Sequence, residues 1–139
     1  MNFHQDGTSP TDGAIFVFGS NMAGRHGRGA AKAALSFGAV YGSGMGPMGN
    51  SYAIPTKDQY LNVLPLTHIR LYVNDFLDHA RRNPDVKFFV TRIGCVLAGY
   101  QEDQIAPLFR DAPPNCSFAE EWRNYLTVTE DLTTSQEVI

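Results

Sequence analysis

Ile15-Phe16-Val17-Phe18-Gly19-Ser20-Asn21-Met22-Ala23-Gly24-Arg25-His26-Gly27-Arg28-Gly29-Ala30-Ala31 is the segment from which the architecture is read. Four apolar residues in a row, 15 to 18, stop at Gly-Ser-Asn. A short unbroken apolar run of this kind fits a strand covered on both faces, as in parallel sheets. From Gly29 to Phe37 the chain turns alanine-rich and helix-prone, and Gly38 ends the run. Strand, glycine-rich loop, helix is the opening unit of an α/β domain.

The unit repeats outward from there. Tyr41 to Gly49 reads as a glycine-rich loop and Tyr52-Ala53-Ile54 as a short strand. Thr67 to Arg82 is the clearest helix, with Ile69, Val73, Phe76, Leu77 and Ala80 on one face, and Asn83-Pro84 stops it. Lys87 to Thr91 is a second apolar strand, followed by a small-residue loop from Gly94 to Tyr100 and a short helix from Asp103 to Phe109. Ser117-Phe118-Ala119-Glu120 has the form of a capping box, which places a last helix from there to about Leu126. Alternation of this kind predicts a mixed, largely parallel sheet with ligands bound beyond the carboxyl ends of its strands. Residues 14–126 form the expected domain. Residues 1–13 read as a loose lead-in and 127–139 as a polar tail.

Bulk properties narrow the function classes. The chain has 139 residues, 43% hydrophobic and 18% charged. That fits one soluble domain burying roughly two-thirds of its unfolded surface. Two cysteines, Cys95 and Cys116, and a polar start without an apolar signal region point to reduced thiols in the cytoplasm. No apolar run is long enough to span a bilayer. A net charge of −3 disfavours non-specific binding to nucleic acid. Arg25, His26, Arg28 and Lys32 are the one dense basic cluster, and their glycine-rich setting suits a small anionic ligand. His4, His26, His68 and His79 have no ligand spacing with cysteine or carboxylate, so no metal is expected, and no cofactor is implied.

Two loops carry the candidate chemistry. In the first, Ser20, Asn21, Gly24, His26, Gly27, Gly29 and Ala31 lead into a helix start, where free N–H groups favour an anion. It is neither a Walker loop nor a Rossmann fingerprint. The second, Thr91, Arg92, Ile93, Gly94, Cys95, Val96, Leu97, Ala98, Gly99 and Tyr100, again follows a strand. Two such loops suggest a diphosphate held between them by backbone N–H groups. Tyr100 is open to two readings, stacking on a base or ribose and packing in the fold. Lys57 follows a strand and a proline, and is either a solvated cation or a functional amine.

These segments resemble macrodomains of the DarG antitoxin type, which release ADP-ribose from DNA. The likeness lies in the order of Asn21, Gly24, Gly27, Gly29 and Ala31, in Ile54-Pro55-Thr56-Lys57 and in Ile93 to Tyr100. The terminal ADP-ribose protein glycohydrolase is similar in its glycine loop, its lysine and a Gly-Cys-Gly-Leu stretch, and the chain is similar to short phage-encoded proteins. The resemblance spans about 14–109. It implies a three-layer fold, a site for ADP-ribose or an NAD-derived nucleotide, Lys57 as catalyst and Asn21 as partner of the distal ribose. The implied partners are the free nucleotide or ADP-ribosylated DNA or protein, in a host cytoplasm if the chain is phage-encoded.

The chain also departs from that pattern. Ala98 stands where the glycohydrolase has its aspartate, and Val96 replaces a glycine. Three functions follow. One is an ADP-ribosyl glycohydrolase acting through Lys57. Another is a non-catalytic sponge that sequesters an ADP-ribose-type defence signal. The third is an interaction protein with vestigial loops. Binding ranks ahead of a specific reaction.

Overall fold

A computed structural model describes residues 2–95 and 98–127. Val96, Leu97 and the polar tail from 128 onward lie outside the described residues. The chain runs β1 (Asn2–His4), β2 (Ile15–Asn21), α1 (Gly29–Ala34, continued by a 3-10 turn Leu35–Phe37), β3 (Gly46–Met48) and β4 (Ser51–Lys57). Then come α2 (Leu66–Arg82), β5 (Phe88–Val90), α3 (Glu102–Ile105, continued by a 3-10 turn Ala106–Phe109) and β6 (Cys116–Ala119). A 3-10 turn, Glu120–Trp122, leads into helical residues 123–127.

The strands form one six-stranded sheet in the order β1-β6-β5-β2-β4-β3. All neighbours are parallel except β3 and β4. The α/β class and the mixed, largely parallel sheet expected from the sequence are therefore found. Side chains alternate between two cores. Val17, Tyr52, Ile54 and Val90 meet the buried face of α2 with Ile105, Phe109 and Trp122. Phe16, Phe18, Ala53 and Phe89 meet Ala31 and Ala34 of α1 on the other side. The buried positions of α2 are the five read from its spacing.

The structure revises four expectations. The lead-in is not loose throughout, because Asn2–His4 pairs in parallel with Ser117–Ala119 as an edge strand. The expected last helix is present but starts later, at Glu120, and runs to 127, while Ser117-Phe118-Ala119 is strand. Cys116 and Phe118 are fully buried on one face while Ser117 points to the other, so the period is two and the segment is β6. The Ser117 hydroxyl pairs with His4 instead of capping a helix. β4 runs through Pro55 to Lys57. β3 covers only Ser51–Ala53, so the ladder does not require the N–H that Pro55 lacks on that open edge. Finally, Gly46–Met48 is a strand inside what reads as a loop, because a tight turn at Gly49-Asn50 folds it onto β4.

Candidate functional site

In the strand order, β2 and β5 are neighbours whose following segments leave for opposite faces of the sheet. β2 leads to α1 beside Phe16 and Phe18, and β5 leads to α3 in the core of α2. A crevice must open between two such carboxyl ends, and this is where α/β sheets hold ligands. A cavity of about 350 Å³ lies there. Thr91, Ile93, Gly94 and Ala98 of the second loop line it, and of the first loop only Gly29 to Ala31, which open α1, do so, while positions 20–28 stay outside it.

The walls are of three kinds. Phe16, Phe89 and Ile93 are apolar, Thr56 and Thr91 donate their hydroxyls to the Ser20 and Val17 carbonyls of β2 at 3.2 and 2.8 Å, and Gly19 and Gly94 bring backbone to the wall. α1 begins at the cavity, and no side chain caps its first N–H groups, nor does an acidic residue stand in its first turn. Those donors have no partner within the helix and attract an anion. Arg25, Arg28 and Lys32 stay exposed around that helix start.

Several expected site residues are used otherwise. The Asn21 carboxamide closes its own loop, donating to the Arg25 carbonyl and accepting from the Arg25 N–H, both at 2.9 Å. Ser20 is buried and donates to the Gly44 carbonyl at 2.5 Å. His26 is fully buried beneath the loops, and its Nε2 lies 2.9 Å from the Val40 carbonyl and 2.8 Å from that of Ser43. Two acceptors require Nε2 to carry the proton, so this histidine ties the first loop to residues 40–43 and does not face a ligand. Gly24 completes the tie: a Cβ there would stand 2.2 Å from the Ser43 nitrogen.

Gly27 borders open space. Tyr100 donates its hydroxyl to the Leu64 carbonyl at 2.6 Å and packs on the α2 core, which decides between its two readings in favour of packing. Gly99 is exposed. Lys57, half-buried at the end of β4, is absent from the cavity wall, where its neighbour Thr56 stands instead.

Residues that the sequence did not single out complete the site. His4, Asp6, Gly7, Thr8 and Ser9 form one wall, all from the lead-in. Arg92 links this wall to α3, bonded to Asp6 at 3.0 Å and also to Glu102. Glu102 in turn accepts from the Trp122 indole. Burial opposes ionisation of Glu102, but the hydrogen bonds from Arg92 and Trp122 outweigh it and hold the carboxyl below its ordinary pKa. The Glu102 hydrogen bond likewise raises the pKa of Arg92, so the cation persists.

Burial lowers the pKa of His4, against its hydrogen bond to Val90 and nearby Asp6, Glu121 and Glu120. Burial first, then Glu102, pushes the Cys95 thiol up to about 12, which removes it as a nucleophile near neutral pH. Of the titratable groups lining the cavity, Asp6 and Arg92 are paired to each other, and His4 is bonded to Ser117.

Among the described residues there is no cluster of side chains suited to a metal ion, and no helix long and apolar enough to cross a membrane. Neither the family models, nor the curated proteins, nor the solved structures compared with this chain give a match.

Proposed function

We propose that the protein is a binding module for ADP-ribose or a related NAD-derived nucleotide, free or attached to a macromolecule, held between β2 and β5 of a macrodomain-like fold. The observation that carries this reading is the meeting of Gly29 to Ala31 with the small-residue loop that follows β5 on one cavity, at the point where the strand order reverses. Its chemistry suits the parts of such a ligand. The His4 ring, which lines the cavity and is stacked on Phe89 at 3.6 Å, offers a surface for a flat ring. The exposed Ser9 hydroxyl suits ribose, and the backbone N–H groups of Gly29 to Ala31 suit phosphate. The volume stands near the lower end of the roughly 300–1,000 Å³ usual for small-molecule sites, so an extended nucleotide continues over the open rim.

Binding without turnover is the better-supported form of the reading. Among the described residues of the wall, Asp6 and Arg92 are paired to each other, Lys57 is not part of it, and Ala98 occupies the position at which the glycohydrolase it resembles has an aspartate. Retention of the ligand without cleavage would make the protein a sponge for an ADP-ribose-type signal.

Calorimetric titration with ADP-ribose tests this, with Lys57→Ala and Ala33→Trp in parallel. Ala33 is exposed and lines the cavity, so an indole there fills the site and leaves the core alone. The expected result is micromolar binding, about −8 kcal/mol, retained in Lys57→Ala and lost in Ala33→Trp. Absence of binding by the unaltered protein rejects ADP-ribose as the ligand. Release of ribose products from an ADP-ribosylated oligonucleotide or peptide, abolished by Lys57→Ala, rejects the non-catalytic form.

A further inference from the structure

β1, β6, β5 and β2 are neighbours and all parallel. The chain leaving the carboxyl end of β1 must therefore return the length of the sheet, across β6 and β5, to enter β2 at its amino end. In most parallel crossovers a helix makes that return. Here residues 5–14 make it without one. The path is visible in its walls: Asp6, Thr8 and Ser9 border the 350 Å³ cavity, and Ser9, Thr11 and Asp12 border a second cavity of about 690 Å³ nearer the amino ends of β5 and β6. His4, Ser9 and Phe89 belong to both cavities, with the His4 ring stacked on Phe89 at 3.6 Å. The strap stands between the first cavity, on the α1 side of the sheet, and the second, which reaches Ala80, Arg81 and Asn115 at the amino edge.

The strap is lightly held. Pro10 is its one half-buried residue, and the others from Gln5 to Gly13 are exposed, so it buries almost no apolar side chain. Its ends are fixed by ion pairs, Asp6 to Arg92 at 3.0 Å and Asp12 to Lys87 at 3.6 Å. Lys87 and Asp12 are mostly exposed, whereas Arg92 and Asp6 are 25% and 35% exposed, and Glu102 already fixes the guanidinium. The Asp6 contact is thus the stronger of the two, since only one side chain must be ordered to make it. Gly7 and Gly13, at φ +81° and +79° with no atom within 4 Å of a built Cβ, bracket the strap with positions free to absorb rotation.

We propose that residues 5–13 form a hinged lid over the ligand cavity, latched by Asp6 on Arg92, with Arg92 held in turn by Glu102. This rests on the reading of the cavity as a nucleotide site. Asp6 and Arg92 act as positioning residues: the latch holds one wall of the cavity in its binding geometry before a ligand arrives. Lifting the strap joins the two cavities and gives an extended molecule its way in.

Hydrogen–deuterium exchange on the unaltered protein and on Asp6→Asn, each with and without millimolar ADP-ribose, tests the lid. Without ligand, Asp6→Asn is expected to speed exchange in residues 5–13 several-fold while α2 and β4 stay unchanged. ADP-ribose is expected to slow exchange in 5–13 of the unaltered protein, and Asp6→Asn to weaken its binding by about two- to five-fold, the range open to a part-exposed ion pair. Asp6→Glu, which keeps the charge, should restore most of the protection. Unchanged exchange in Asp6→Asn overturns the latch. Binding that leaves 5–13 unprotected overturns the lid. If ADP-ribose binds neither protein, the proposed ligand and the lid over it both fall, and the comparison without ligand still decides the latch.

Discussion

Replacing Gly24 with alanine should separate two loops that the fold needs in contact. Gly24 has φ +71°, and its Cβ would fall 2.2 Å from the Ser43 nitrogen and 2.3 Å from the Gly42 carbonyl carbon. These neighbours are backbone, so no side-chain rotation relieves the clash. The left-handed conformation alone costs an L-residue about 1–2 kcal/mol. Moving the loops apart also breaks the bond from the Gly42 N–H to the Gly24 carbonyl at 2.9 Å and that from Ser20 to the Gly44 carbonyl. At about 0.5–1.5 kcal/mol for each bond, the expected loss is about 2–5 kcal/mol. Urea denaturation at pH 7 measures it, with Gly27→Ala as control. Gly27 has open space at its Cβ and no positive φ, so its change should stay within about 0.5 kcal/mol. A Gly24→Ala protein within about 1 kcal/mol of the parent, at equal denaturant dependence, would refute the reasoning.

Three more outcomes follow. Glu102→Gln should destabilise the protein by about 1.5–3 kcal/mol at pH 7, because Arg92 and Trp122 both lose a charged acceptor. A carboxyl held below its ordinary value of 4.5 in the fold contributes stability above about pH 4.5, lost as pH falls through the lowered value, so parent and variant should converge in denaturation below that pH. Native Cys95 and Cys116, each pushed up to about 12 with burial as the first cause, should react slowly with a disulfide reagent at pH 8 and quickly in urea; prompt labelling of the native protein would contradict this. Leu61 is the one non-glycine residue with positive φ among those described, at +67°, and its side chain is 42% exposed. Leu61→Asn should raise stability by about 0.5–1 kcal/mol, read as a higher melting temperature, since asparagine tolerates that conformation better.

Long apolar patterns were legible in the sequence and short ones were not. α2 announced its buried face through five residues at helical spacing, and β2 through its unbroken run. The three-residue strands β1 and β3 carry no period of their own and exist because a partner strand recruits them. The Ser117 to Glu120 pattern reads as a helix start three residues early, because a capping box and a strand with one polar face share the same residues. The site divided in a similar way. Glycines mark where backbone lies bare, so the two loops could be found. Asp6 and Thr8 reach the cavity only because β1 is parallel to β6, a fact no local pattern contains. Lys57 reads from its setting as either a solvated cation or a functional amine, and its neighbour Thr56 is the one on the cavity wall.

The pairing of β1 with β6 also has a consequence for assembly during synthesis. His4 and Ser117 touch across 113 positions of the chain. At translation rates of about 5–20 residues per second, the first strand to emerge waits on the order of ten seconds for its partner. During that interval β2, β4 and β5 can already associate, while the flank of β5 that later receives β6 stays uncovered. β1, made before the other five strands of this sheet, is thus the last of them to be installed, and the open flank of β5 is where the nascent domain would need a chaperone.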